Sequence, residues 1–231
     1  MKFTLTKKPK GATIIQGFPS MGLVSTLCTK FLIDHLDVEA IGYIESEFAM
    51  PLTAIHKSEV VYPITLYYNK KYNLIIIQAL TEVTGFEWQV ANTIVEIAKT
   101  IEAKQIIVLE SMPSHEENVQ LYYYSNNKTK LNIKPVTESV IMGITAATLL
   151  KAKKIPVLCI FAEAHSQFPD SESAAKVVGV IGEYLGMKID IKPLLEAAKK
   201  FEANLRQIME RTKQLKNNTP TKENDDVNYF G

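Results

Sequence analysis

Three stretches of this chain carry side chains suited to chemistry. Gly17 to Gly22, GFPSMG, is a glycine-bounded turn with one hydroxyl, that of Ser20. His115-Glu116-Glu117 and Glu163-Ala164-His165 each set a histidine near carboxylates in a loop that follows a strand. Such loops are where α/β enzymes work. A His165 general base oriented by Glu163 is the proton-transfer arrangement these residue types allow. A spacing of two within a loop fixes no such geometry, so no catalytic residue is assigned. His35, His56, His115 and His165 are the four histidines, and none pairs with another histidine, cysteine or carboxylate at a metal-binding spacing. Neither a metal nor a cofactor is expected.

The glycine turn fails each phosphate-loop and nucleophile pattern. Pro19 stands where a dinucleotide fingerprint needs its second glycine. No Gly-Lys-Ser/Thr follows, so no nucleoside triphosphate loop is present. A nucleophile elbow needs glycine two residues before its serine, and Phe18 occupies that place. What remains is a tight turn in which Ser20 caps the following helix, or a helix N-terminus that holds a small anion. Gly17, Ser20 and Gly22 are therefore a candidate anion or turn site.

The elements that position these loops follow from the hydrophobic pattern. Ala12 to Gln16 reads as a strand buried on both faces. Leu23, Val24, Leu27, Phe31 and Leu36 recur at helical spacing after the turn. Ile41 to Ile44 is a strand, and Glu45 to His56 a connection. Val60 to Tyr68, interrupted by Pro63, predicts a strand near an edge, paired as a hairpin with Leu74 to Ala79. A helix is expected over Phe86 to Lys104, a strand over Gln105 to Leu109, and an exposed hairpin or protruding β segment within Ser111 to Lys134. Gly143 to Lys151 is a short helix and Pro156 to Ala162 a buried strand. The next helix is capped by Asp170 or Ser171, runs to Leu185 and stops at Gly186. Strand and helix alternate, which predicts an α/β fold with a mostly parallel central sheet flanked by helices.

Composition removes several function classes. Of 231 residues, 46% are apolar and 22% charged, as in an ordinary globular domain. With 26 basic and 25 acidic residues the net charge is +1, and no basic stripe is present for nucleic acid. Tyr122, Tyr123 and Tyr124 suit an alternating strand surface or an interface better than a base-stacking platform. Cys28 and Cys159 lie in apolar segments, as small core residues in a reducing compartment. Met1 to Lys10 holds no apolar run of the kind a signal peptide needs, and no stretch reaches the ~18 apolar residues of a membrane span. A cytoplasmic location is expected.

The character changes from Pro193. Leu194, Ala198, Phe201, Leu205, Ile208, Thr212 and Leu215 follow 4,3 spacing, a heptad seam on a long helix. Packing on its own domain and packing on another subunit are equally open. As a homo-oligomer interface the seam is represented by Leu194, Phe201, Leu205 and Ile208. Asn217 to Asp226 is polar with little to bury, and Tyr229-Phe230-Gly231 follows it. The chain thus divides into an α/β domain (1–192), a C-terminal helix (193–216) and a flexible tail (217–231).

Nearly the whole folded part resembles the archaeal proteasome assembly chaperone family, which is similar to the eukaryotic proteasome assembly chaperone 2 family. The likeness is carried by Gly17-Phe18-Pro19-Ser20-Met21-Gly22-Leu23-Val24, by Phe48 to Pro51, and by Ile141-Met142-Gly143-Ile144-Thr145 before Leu149. Pro169-Asp170-Ser171-Glu172-Ser173-Ala174-Ala175 and Leu194 to Glu202 extend it. The family often has glycine where Ser25 stands. These are glycine and packing signatures without a catalytic residue. The resemblance implies a nucleoside phosphorylase-like fold, no enzymatic activity, and proteasome α subunits or the assembled α-ring as partners. Family members can end in a hydrophobic–tyrosine–any tail that enters pockets between α subunits. Tyr229 here takes the hydrophobic place and Phe230 the tyrosine place, so the resemblance implies proteasome binding through Tyr229, Phe230 and Gly231. An enzyme acting on a nucleoside-like small molecule at Gly17–Gly22 and His165 is the alternative.

Overall fold

Ile14 and Ile15 are neighbours in sequence, both fully buried, and belong to two different hydrophobic cores. The period of two along an extended strand puts them on opposite faces of one sheet, and both faces are covered. The computed structural model describes residues 1–47, 51–56, 58–114, 119–164 and 169–196. In chain order the elements are β1 (Lys2–Leu5), β2 (Thr13–Gly17), a single 3-10 turn (Met21–Leu23), α1 (Val24–His35), β3 (Glu39–Glu45), β4 (Ala54–His56), β5 (Glu59–Val61), β6 (Ile64–Asn69) and β7 (Leu74–Ala79). They continue as α2 (Glu87–Thr100), β8 (Gln105–Pro113), β9 (Leu121–Ser125), β10 (Lys134–Pro135), α3 (Gly143–Lys151), β11 (Val157–Ala164) and α4 (Ser171–Leu185).

Among the described residues, nine strands form one sheet in the order β1-β3-β6-β7-β2-β8-β11-β9-β10, and β4 and β5 pair separately. Ile75, Ile77, Ile106 and Val108 face one core with Ile94 and Ile97 of α2 and Ala147 of α3. Leu74, Ile76, Ile107 and Leu109 face the other with Cys28 and Leu32 of α1 and Val178 and Ile181 of α4. The result is a three-layer α/β/α domain. Cys28 and Cys159 are both buried free thiols within it, as their apolar surroundings implied.

The sheet is mixed rather than mostly parallel. Parallel pairing runs through β7-β2-β8-β11 and recurs between β9 and β10. The pairs β1–β3, β3–β6, β6–β7 and β9–β11 are antiparallel. Lys70 to Asn73 alone join β6 to β7, and a parallel crossover needs a dozen residues or more. The hairpin is therefore found as its short turn demands, with Ile64 opposite Ala79.

Two further expectations are corrected. Val60 to Tyr68 is not one edge strand: β5 ends at Val61, and β6 begins at Ile64 in the sheet interior between β3 and β7. Pro63, which has no N–H to give a ladder, sits at the break, and its carbonyl accepts from the Leu80 N–H at 2.8 Å. The tyrosine segment does not protrude either. β9 lies inside the sheet antiparallel to β11, with Tyr124 opposite Cys159. Tyr122 packs against one core and Tyr123 against the other, so alternation half-buries both. Strand β1 and the β4–β5 hairpin had no sequence signal strong enough to mark them.

The helix signals fare better. Asp170 caps α4 by accepting from the Ser173 N–H at 2.8 Å, and Gly186 ends it with φ 64°. α3 spans Gly143–Lys151 as read, while α2 stops at Thr100, short of Lys104. Among the described residues, no helix is long and apolar enough to cross a membrane.

Candidate functional site

Strand β2 lies at the centre of the parallel core, with β7 on one side and β8 on the other. The chain passes from β2 to β7, then through α2 back across to β8, so its winding reverses direction at β2. Open α/β sheets leave a crevice at the C-terminal ends of strands where the winding reverses. Here that crevice is a cavity of about 410 Å³. Phe18, Pro19 and Ser20 after β2 line it, with Glu82 to Thr84 after β7, Glu110 to Pro113 of β8, and Ser139 to Ile144 leading into α3.

The glycine turn forms one wall. A Cβ on Gly17 would stand 2.5 Å from the Ser25 carbonyl oxygen and 2.7 Å from Thr29 Cγ2, so only glycine lets α1 approach β2 this closely. Gly22, at φ 62°, kinks the chain within the 3-10 turn, just ahead of α1. Its carbonyl accepts from the Asp170 N–H at 2.8 Å and ties the turn to the start of α4.

Ser20 does not cap a helix through its side chain. It stands before the 3-10 turn in an extended conformation, with no side-chain capping bond, and α1 begins only after Leu23 in the left-handed region. Its hydroxyl joins a serine cluster instead. The Ser111 hydroxyl is shared between the Met21 carbonyl (2.6 Å) and Ser20 Oγ (2.8 Å). Ser20 Oγ is 3.2 Å from Ser25 Oγ, and the fully buried Ser25 donates to the Leu109 carbonyl at 3.0 Å. Ser25 thus pins α1 to the end of β8.

Glu110 is the residue that sequence reading passed over. It is half-buried at the end of the apolar run of β8. Thr145 Oγ1 donates to its Oε2 at 2.7 Å, and the Ser111 N–H donates to its Oε1 at 3.0 Å. Burial pushes its carboxyl above the usual carboxylate range, against the opposing pull of the Thr145 hydroxyl, the Ser111 N–H and the Ser20 hydroxyl. Burial, and then the nearby Glu110 charge, lift the Cys159 thiol to about 12. One turn further along α3, Thr148 Oγ1 accepts from the Gln16 amide at 3.1 Å, while Gln16 Oε1 finds no partner among the described residues. A carboxylate directly after a buried run such as QIIVL was the available signal, because in an α/β sheet that position opens onto the crevice.

His115 and His165 lie outside the described residues. Glu163 is engaged elsewhere: it accepts from Ser114 Oγ (3.1 Å), the Gln120 N–H (3.0 Å) and the Tyr122 hydroxyl (3.3 Å). Among the described residues, no group of three or more His, Cys, Asp or Glu is placed to hold a metal. Of the seam residues, Leu194 is 6% exposed and packs into the α1–α4 core, in a helical stretch at 192–196. Phe201, Leu205, Ile208, Tyr229, Phe230 and Gly231 lie outside the described residues.

Comparison with known proteins gives a consistent set of relatives. The PAC2 family model matches residues 14–209. An uncharacterized protein of Methanocaldococcus jannaschii is 25% identical over 210 residues, covering 86% of this chain and 85% of that protein. The crystal structure of Pyrococcus furiosus PbaA, described as an archaeal homolog of proteasome-assembly chaperone, is similar with a TM-score of 0.83 and 25% identity over 94% of this chain and 95% of that one. Pyrococcus furiosus PbaB, described as an archaeal proteasome activator, is similar with a TM-score of 0.76 over 90% of this chain and 98% of that one. At 20% identity the PbaB likeness carries the fold.

Proposed function

Because this chain belongs to the PAC2 family, we propose that it acts as a proteasome assembly chaperone-like protein that binds the proteasome α-ring through its C-terminal tail. The observation that carries the reading is the likeness to PbaA across 94% of this chain. Tyr229, Phe230 and Gly231 supply two aromatic rings and a terminal carboxylate, which suit an apolar pocket bearing a lysine. The division into a body (1–192), a helix (193–216) and a tail (217–231) gives the tail its reach. In this reading the protein is a cytoplasmic homo-oligomer without enzymatic activity.

The seam for self-association rests on Phe201, Leu205 and Ile208, since Leu194 already packs into its own core. Gly17, Ser20 and Gly22 act as a turn that sets α1 against β2 and β8, because the Ser20 hydroxyl is taken up by Ser25 and Ser111. No specific observation favours an enzyme acting on nucleosides. A pull-down with proteasome α subunits tests the proposal: the full chain should retain them, and a chain lacking the last three residues should not. Equal capture by both would refute tail-mediated binding.

A further inference from the structure

We propose that a second cavity, at the opposite end of the sheet where β2, β7 and β8 begin, binds a small organic monoanion through its carboxylate. The cavity has a volume of about 380 Å³, and its lining includes Thr13, Tyr72, Lys104, Gln105, Tyr184 and Leu185. The segments that bound it, 10–13, 72–74, 102–106 and 184–186, all lie within the described residues. Thr13 and Gln105 are direct partners across the β2–β8 ladder, so their side chains stand side by side on one face of the sheet. Gln105 is 4% exposed, and the Tyr184 hydroxyl donates to its Oε1 at 2.8 Å. Its amide nitrogen has no hydrogen-bond partner among the described residues, although a buried amide normally finds one. The hydroxyl of Thr13, a residue 6% exposed, likewise has no partner among them. Two adjacent donors on nearly buried side chains, both on the cavity wall, are completed by an acceptor placed in the cavity.

The acceptors around the cavity are already engaged. The Asn73 carbonyl takes the Thr13 N–H at 3.0 Å, the Ala12 carbonyl the Lys104 N–H at 3.1 Å, and the Ile101 carbonyl the Gly11 N–H at 2.8 Å. Asn73 Oδ1 accepts from the Tyr68 hydroxyl at 3.1 Å. Glu102, two residues from Lys104, is paired with Lys10 at 2.9 Å. Lys104 itself forms no ion pair among the described residues. An excess of donors with one uncompensated ammonium group calls for a ligand that accepts and carries negative charge, and a carboxylate does both. Its charge is limited to one. A single lysine balances a single charge, and Leu185, the last residue of α4, brings the negative end of a helix dipole to the lining. A phosphate dianion therefore fits less well than a carboxylate. Tyr72, Tyr184 and Leu185 also pack against the α1–α4 core and give the body of the ligand an apolar wall.

The test uses benzoate as the probe, with benzamide as its neutral counterpart and inorganic phosphate as the dianion, each titrated into the full chain at neutral pH by two-dimensional amide NMR. Benzoate should give saturable shifts at the Thr13, Asn73 and Leu185 backbone amides and at the Gln105 side-chain NH2. Benzamide should bind about tenfold more weakly, the loss of one charge-assisted contact. Phosphate should also bind more weakly than benzoate. Lys104→Gln, on an exposed side chain, should weaken benzoate about tenfold and leave the melting temperature unchanged. Gln105→Met should weaken it as well, and where that variant does not fold, Lys104→Gln decides. Absence of saturable shifts with benzoate overturns the inference. So does benzamide or phosphate binding as tightly as benzoate, or an affinity for benzoate unchanged in Lys104→Gln.

Discussion

The Thr145 hydroxyl donates to Glu110 Oε2 at 2.7 Å and ties the first turn of α3 to the C-terminal end of β8. The bond lowers the Glu110 pKa, yet burial outweighs it and the carboxyl stays above its ordinary range. The folded state therefore holds this proton to higher pH than the unfolded chain, whose glutamates titrate near about 4.3. The stability this residue contributes is fully present below that value and is lost as pH rises through the raised folded value. Cys159 in β11 is the titratable neighbour that feels its charge. Glu110→Gln can keep both contacts by reversing the Thr145 hydroxyl bond. The melting temperature of the native protein should thus fall relative to that of Glu110→Gln as pH climbs from about 4 upward. Melting curves that stay parallel over that range would contradict this.

Gly17→Ala should destabilise the fold by about 1–3 kcal/mol, because the new methyl meets a backbone oxygen that cannot move without shifting α1. Its Cβ would lie 2.5 Å from the Ser25 carbonyl. Gly179→Ala, in the interior of α4 with nothing within 4 Å of the new Cβ, should instead stabilise by roughly 0.5–1 kcal/mol. Urea midpoints of the two variants against the parent separate these signs. Equal midpoints would show that α1 is not held against β2 at Gly17.

How much of this could be read from the sequence differs by element. The buried runs TIIQG, LIIIQA and QIIVL announce themselves because a doubly covered strand is apolar throughout, and the Asp170 cap and Gly186 stop mark α4 chemically. Sheet order and strand direction are tertiary facts. The run from Val60 to Tyr68 hides two strands because Pro63 marks a break equally well at an edge or between strands. The site was less legible than the fold. Ser20 looked like a cap because serine before a helix usually is one, whereas its actual partners, Ser25 and Ser111, include one that is 91 residues away in sequence. Glu110 and Thr145 are 35 residues apart, and only the folded arrangement of β8 and the start of α3 brings them together.

Leu205→Glu together with Ile208→Glu should lower the mass of the assembly without changing the circular dichroism of the α/β body, since the two side chains lie on the 4,3 seam that follows the described domain. Light scattering at concentrations on the order of tens of micromolar reads this directly. A monomeric parent protein at that concentration would remove the seam's role in self-association.

Deleting Tyr229 to Gly231 tests the central claim most directly. The 15 residues from Asn217 to Gly231 span at most roughly 50 Å when extended, enough to leave the body and reach a pocket on a neighbouring ring. Ordering a polar spacer opposes binding, so one tail should bind weakly and several on one oligomer should bind by avidity. Phe230→Tyr should tighten binding by adding a hydroxyl to the second aromatic ring of the tail. The decisive measurement is titration calorimetry of the full chain and of the chain lacking its last three residues against assembled proteasome α-rings. The account predicts measurable binding by the full chain and its loss or strong weakening after truncation, with fold and oligomer mass unchanged. Equal affinities for the two proteins would contradict it and place any ring contact on the α/β body.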